Sequence, residues 1–128
     1  MTHTVTASTR ISVGDCVSTY LPEVSAAHPI RVAVVTHITD DGEYFVVPLS
    51  TSVSLAPWQT IIPKLAGKNE PSFAAFNLAS FVSQSRFTLH RGSFFDTAVG
   101  EWHFDNLITE FARYYSRTFD VKQFPSYN

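Results

Sequence analysis

Arg31 stands at the entry of an apolar run, Pro29-Ile30-Arg31-Val32-Ala33-Val34-Val35-Thr36-His37. Ser50 and Thr51 close a second run, Tyr44-Phe45-Val46-Val47-Pro48-Leu49-Ser50-Thr51-Ser52. Between them lies a turn-forming stretch, Thr39-Asp40-Asp41-Gly42-Glu43. If the two runs pair as neighbouring antiparallel strands, the start of one meets the end of the other. A guanidinium and a hydroxyl then share one end of a sheet. A planar guanidinium can hold two phosphate oxygens at once. A neighbouring hydroxyl can orient a third, so the pair is a candidate grip for a phosphodiester. The competing reading keeps Arg31 in an ion pair with a loop carboxylate such as Glu23. The hydroxyls then serve only the backbone of their own turn.

His90 is the candidate acid or base, because it stands between Arg86 and Arg91. Cations on both sides disfavour the imidazolium and hold the ring neutral near pH 7. An exposed histidine at a strand end fits the same residues. Arg86, Arg91, Lys64 and Lys68 form the one basic grouping. With Trp58, Phe81 and Phe87 they read as a stacking and phosphate surface for single-stranded RNA. A solvated edge above core aromatics explains the same pattern. The five histidines and the single Cys16 show no metal-ligand spacing, so neither a metal nor a cofactor is expected. Asp40, Asp41 and Glu43 read as turn formers. Phosphate-loop, nucleophile-elbow and catalytic-cysteine patterns are absent from the sequence.

These residues need a scaffold, and 128 residues suffice for one domain with a single core. Residues 1–10 read as a flexible leader, 11–120 as the domain and 121–128 as an irregular tail. Only 16% of residues are charged, and the chain has 11 Phe, five Tyr and two Trp. So much aromatic surface points to a partner or a homodimer. A net charge of −2 gives no bulk positive field for nucleic acid, so any such contact is local. One cysteine permits no internal disulfide, which fits a reducing cytoplasm. No apolar stretch approaches the roughly 20 residues that cross a bilayer, and the first residues lack the apolar core of a signal peptide.

Strands are expected at residues 16–20, 30–38, 43–49, 58–62, 72–77 and 81–89. Residues 30–38 form the most β-like run, rich in Val and without breaks, as in a central strand buried on both faces. Asp41-Gly42 supplies hairpin chemistry, and Pro48 marks a place where pairing ends or bulges. Residues 92–100 fit a short helix or a further strand. Asp105 is a good N-cap for a helix whose apolar stripe is Leu107, Ile108, Phe111, Ala112, Tyr114 and Tyr115. Arg113 and Arg117 suit its C-terminal end. Short strands followed by one helix predict a mainly β fold, a small antiparallel barrel with a C-terminal helix.

With these pieces placed, the chain resembles the PemK/MazF family of toxin endoribonucleases. VGDCVSTYLPE resembles the family's opening G-D-(I/V)-V strand and its proline-containing loop. PIRVAVVTHI resembles the R-P-A-V-V-L strand, and FVVPLSTS the V-V-P-(I/L)-T-(T/S) strand. NLASFVSQSRF resembles the D-Q-(V/I/L)-R-T-(I/V)-D-x-x-R-(L/F) segment, and the motifs follow the family's order over residues 11–117. The resemblance implies an SH3-like barrel, usually a homodimer. It further implies metal-independent cleavage of single-stranded RNA and an antitoxin that blocks the site. It maps the strand-entry arginine to Arg31, the catalytic threonine to Ser50 with Thr51 beside it, and a later arginine to Arg86. Val32 replaces the family's proline. Ser80 and Ser83 stand where many members carry an arginine and an acid, so the resemblance implies a thinned site on a retained fold.

Overall fold

The computed structural model describes residues 3–50, 59–62, 72–96 and 99–118, with residues 59–62, 72–73 and 115–118 described by backbone alone. Eight strands are described: β1 (His3–Thr4), β2 (Asp15–Tyr20), β3 (Ile30–Ile38), β4 (Tyr44–Ser50), β5 (Gln59–Ile62), β6 (Ser72–Ala75), β7 (Ser80–Val82) and β8 (Phe87–Ser93). One helix follows, α1 (Gly100–Thr118). The strands run in the order β1-β8-β2-β3-β4-β6-β5, with β7 also on β4, and every pairing is antiparallel. The expected mainly β class with a C-terminal helix is therefore present. Among the described residues the ladder stays open between β1 and β5 rather than closing.

β3 holds the expected central place. Its side chains alternate between two buried clusters. Val34 joins Cys16, Phe45, Val47 and Leu49 on the face under α1. Ala33 and Val35 join Val17, Val46, Val82 and Phe87 on the opposite face. A strand with cores on both sides has no polar face to show, hence its unbroken apolar run. The hairpin to β4 turns at Gly42, whose φ of 85° lies in the left-handed region; Thr39 N–H donates to the Glu43 carbonyl at 2.9 Å. Pro48 lies where β4 changes partner, since Val46 pairs with Ser80 of β7 and Leu49 with Ala74 of β6. A residue without an N–H sits well in that gap.

Three elements differ from expectation. The run at 81–89 is not one strand: a 3₁₀ turn at Gln84–Arg86 separates β7 from β8. Ser83 enters this turn in extended conformation, its hydroxyl 2.7 Å from that of Ser85. Gln84 is tied on three sides, accepting from Tyr44 Oη at 2.8 Å and donating to the Thr6 and Thr9 carbonyls at 2.9 and 2.8 Å. Gly92 and Ser93 end β8, Phe94–Asp96 form a 3₁₀ turn, and Gly100 starts α1. α1 begins at Gly100, more than a turn before Asp105, because Phe104 is fully buried and extends the stripe of Leu107, Phe111 and Tyr114.

His3, Thr4 and Val5, ahead of Ile11, also lie along the sheet. His3 pairs with His90 and Thr4 with Leu89. Val5 N–H then donates to the Thr88 carbonyl at 3.1 Å. Val5, Ile11, Leu21 and Val24 pack on the cluster away from α1, so the N-terminal segment and the 21–24 turn roof that half of the core.

Candidate functional site

Four strand ends meet at one end of the sheet. Arg31 of β3 is the cross-strand neighbour of Thr19 of β2, and Thr19 is also that of Phe87 of β8. On the other side Ala33 pairs with Pro48; two more residues of the same register bring Arg31 opposite Ser50, the last residue of β4. Alternation from Ala33 and Val35 puts Arg31 on the face away from α1, and Ser50 shares it through Val46. Facing pairs on one side of a sheet have Cβ atoms about 5 Å apart. The β3–β4 ladder ends at the Ala33–Pro48 pair, and its register carries Arg31 toward the Ser50 position. Thr51 lies outside the described residues.

Arg31 is half-buried. The loop carboxylate Glu23 instead pairs with Arg86, Nη1 to Oε1, at 2.6 Å. Arg86 Nη1 also lies 3.4 Å from the Tyr20 carbonyl, which brings it to the same sheet end. The Glu23 carboxyl is held below its ordinary pKa, first by its own backbone amide and then by the Arg86 guanidinium. Thr19 between the two arginine-bearing strands is fully buried, and its hydroxyl has no hydrogen-bond partner among the described residues. A cavity of about 400 Å³, lined by Val5, Thr6, Ala7, Gln84, Ser85 and Phe87, flanks Arg86.

His90 and Arg91 lie elsewhere. His90 faces Val17 on β2, two residues from Thr19. That is about 7 Å along the strand and two strands across from Arg31. Gly92 N–H donates to His90 Nδ1 at 3.3 Å, so Nε2 carries the proton and donates to Asp15 Oδ2 at 2.8 Å. Asp15 also accepts from Ser12 N–H at 2.9 Å. His3 stacks on the same imidazole with ring centroids 4.9 Å apart. Nε2 thus ties β8 to β2, while Nδ1 is held within β8. Arg91 Nη1 donates to Ser18 Oγ at 3.2 Å. Trp58, Lys64 and Lys68 lie outside the described residues.

Ser80, at the position given to an arginine by the resemblance, has a buried hydroxyl without a partner among the described residues. Ser83 enters the 3₁₀ turn. Among the described residues no cluster of His, Cys, Asp and Glu has the makings of a metal site. The sequence reading missed Asp15 and Thr19. Alternation along residues 15–20 would have put both on the face of Val17. No helix among the described residues is long and apolar enough to cross a membrane.

No protein-family profile matches the chain, and no curated protein sequence does. Among solved structures it is similar to the Mycobacterium tuberculosis toxin MazF-mt6, with a TM-score of 0.55 at 14% identity, over 76% of this chain and 94% of that one. The chain has a MazF-like fold.

Proposed function

We propose that this protein is an endoribonuclease of the toxin type that cleaves single-stranded RNA without a metal ion. One observation carries the reading: on a MazF-like fold, Arg31, Arg86 and the Ser50 position converge at one sheet end. In this reading the substrate's 2′-oxygen attacks the adjacent phosphorus. The bond from phosphorus to the 5′-oxygen breaks, and water takes the 2′-hydroxyl proton and returns one to the departing oxygen, leaving a cyclic phosphate and a 5′-hydroxyl. Arg31 neutralises the charge gathering on the phosphoryl oxygens, where a fixed cation counts most. Ser50 or Thr51 orients one of those oxygens. Arg86 stabilises the departing 5′-oxygen once Glu23 yields it, and His90 keeps β8 in place. Lys64, Lys68, Trp58 and Arg91 are assigned to flanking nucleotides. An antitoxin that blocks this sheet end and a homodimeric state complete the proposal.

Incubating a single-stranded RNA with the protein in excess EDTA tests it. Cleavage should persist with the chelator and disappear in Arg31→Ala; equal cleavage by the two proteins refutes the assigned site.

A second reading is a binding module on the same fold. It is favoured by the Glu23 carboxylate already seated on Arg86 and by Ser80 and Ser83 in place of charged groups. Expression without growth arrest, with RNA left intact and a protein partner retained, would decide for it.

A further inference from the structure

Two of this chain's carboxylates, Glu23 and Glu110, sit on arginines; those at the start of α1 lie in a stretch without lysine or arginine. From Gly92 to Ala112 the sequence contains Asp96, Glu101, Asp105 and Glu110 but no lysine or arginine. The same stretch carries three exposed large apolar side chains: Phe95 at 48%, Val99 at 58% and Trp102 at 63%. Phe95 lies in the 3₁₀ turn before α1, Val99 just ahead of the helix and Trp102 in its first turn. Trp102 and Asp105 follow the three-residue spacing that sets side chains on one helix flank, and Val99 immediately precedes the helix. Glu101 lies one turn before Asp105, and both are exposed.

Helix stability explains part of this. Carboxylates near a helix N-terminus oppose its positive end. That accounts for Asp96 and Glu101. It does not account for an indole that is 63% exposed, with the His103 ring set edge-on against it at 4.8 Å. The core stripe runs instead through Phe104, Leu107 and Phe111, all fully buried. An exposed apolar patch rimmed by polar groups marks an interaction surface.

We propose that this acidic aromatic face docks a basic segment of a protein partner, in which an arginine or lysine lies beside apolar side chains. The cation covers the Trp102 ring between Glu101 and Asp105, and the apolar side chains cover Val99. The charge pattern selects this occupant. Carboxylates repel RNA phosphates and anionic lipid headgroups, whereas a cation on an indole beside two carboxylates gains from both. This surface is independent of the RNA reading and lies on a different element.

The probe is a short fluorescein-labelled peptide alternating leucine and arginine, followed by anisotropy with the full chain at low and moderate salt. The arginine peptide should bind, and a leucine–glutamate peptide should not. Trp102→Ala should weaken binding about tenfold, the effect of a cation–π contact with its apolar surround. The isosteric pair Glu101→Gln with Asp105→Asn should weaken it and flatten its salt dependence. Asp40→Asn with Glu43→Gln removes equal charge at the hairpin and should leave binding unchanged. Equal binding by Trp102→Ala, or an equal loss in the hairpin variant, would overturn the proposal. So would self-association in sedimentation that Trp102→Ala abolishes, or quenching of Trp102 by phosphatidylserine vesicles. Circular dichroism of each variant confirms that the fold is retained before affinities are compared.

Discussion

Charged side chains in this protein are defined by what already holds them. Asp15 is the clearest case, fixed by the Ser12 amide and His90 Nε2 with its side chain 9% exposed. His90→Ala leaves a buried carboxylate short of a partner, which costs about 1–3 kcal/mol. Urea unfolding should show that loss with an unchanged denaturant slope. Glu23 works in the opposite direction because it is exposed. Its lowered pKa means that its pairing with Arg86 contributes above the ordinary carboxylate value and is lost as pH falls through the lowered one. An NMR titration of the Glu23 side chain should report a midpoint below that of a free glutamate, rising in Arg86→Ala. Cys16 is 1% exposed, and burial, with Asp15 beside it, pushes the thiol up to about 12. Iodoacetamide at neutral pH should therefore leave the folded protein unlabelled and modify it at once in urea.

Elements position these residues through two different cores. Under α1 the aromatic rings carry the contact: Phe111 stacks on Phe45 and Phe76 at 5.6 and 5.3 Å, and Phe94 meets Phe104 at 5.7 Å. Phe111→Ala should cost about 3–5 kcal/mol, read by thermal or urea unfolding. Gly14 joins β2 to the turn before α1. Its φ is 92°, and a Cβ there would lie 2.3 Å from the Phe95 ring. Gly14→Ala must therefore shift that ring as well as strain the backbone.

How far these elements could be read from sequence follows the same physics. β3 was legible to the residue because a strand between two cores shows no polar break. The hairpin was legible because Asp-Gly tolerates Gly42's positive φ. The break between β7 and β8 was not, since Gln84 is held by Tyr44, Thr6 and Thr9, contacts remote in sequence. The start of α1 was missed because Phe104 follows two residues, Trp102 and His103, that obscure the apolar period. Within the site, the hairpin register that carries Arg31 toward the Ser50 position was legible. The Glu23 partner of Arg86 and the Asp15 partner of His90 depend on loop paths that local pattern does not encode.

At the scale of the molecule, a net charge of −2 leaves only local cations to meet RNA. If Arg31 and Arg86 are the principal contacts, binding should follow a shallow salt dependence. About two neutralised phosphates on a single strand give a slope near −1.4 in log affinity against log salt. A steeper slope in filter-binding or anisotropy would mean that the lysines of the 64–68 stretch carry more of the contact.

The roof over the second core has a consequence for time. Its outermost part is held to the sheet by two β1 pairs, the Val5 amide and the Gln84 carboxamide. β3 behind it has a strand on each side. Opening the roof requires few bonds to break, whereas opening β3 requires unfolding the whole domain. In deuterated water, then, the Val5 amide should exchange early through small, frequent openings. The Val34 and Val35 amides should wait for global unfolding. Gln84→Ala should quicken the first event and leave the second nearly as slow, because its carboxamide is one of the few ties that keep solvent from that face of the sheet.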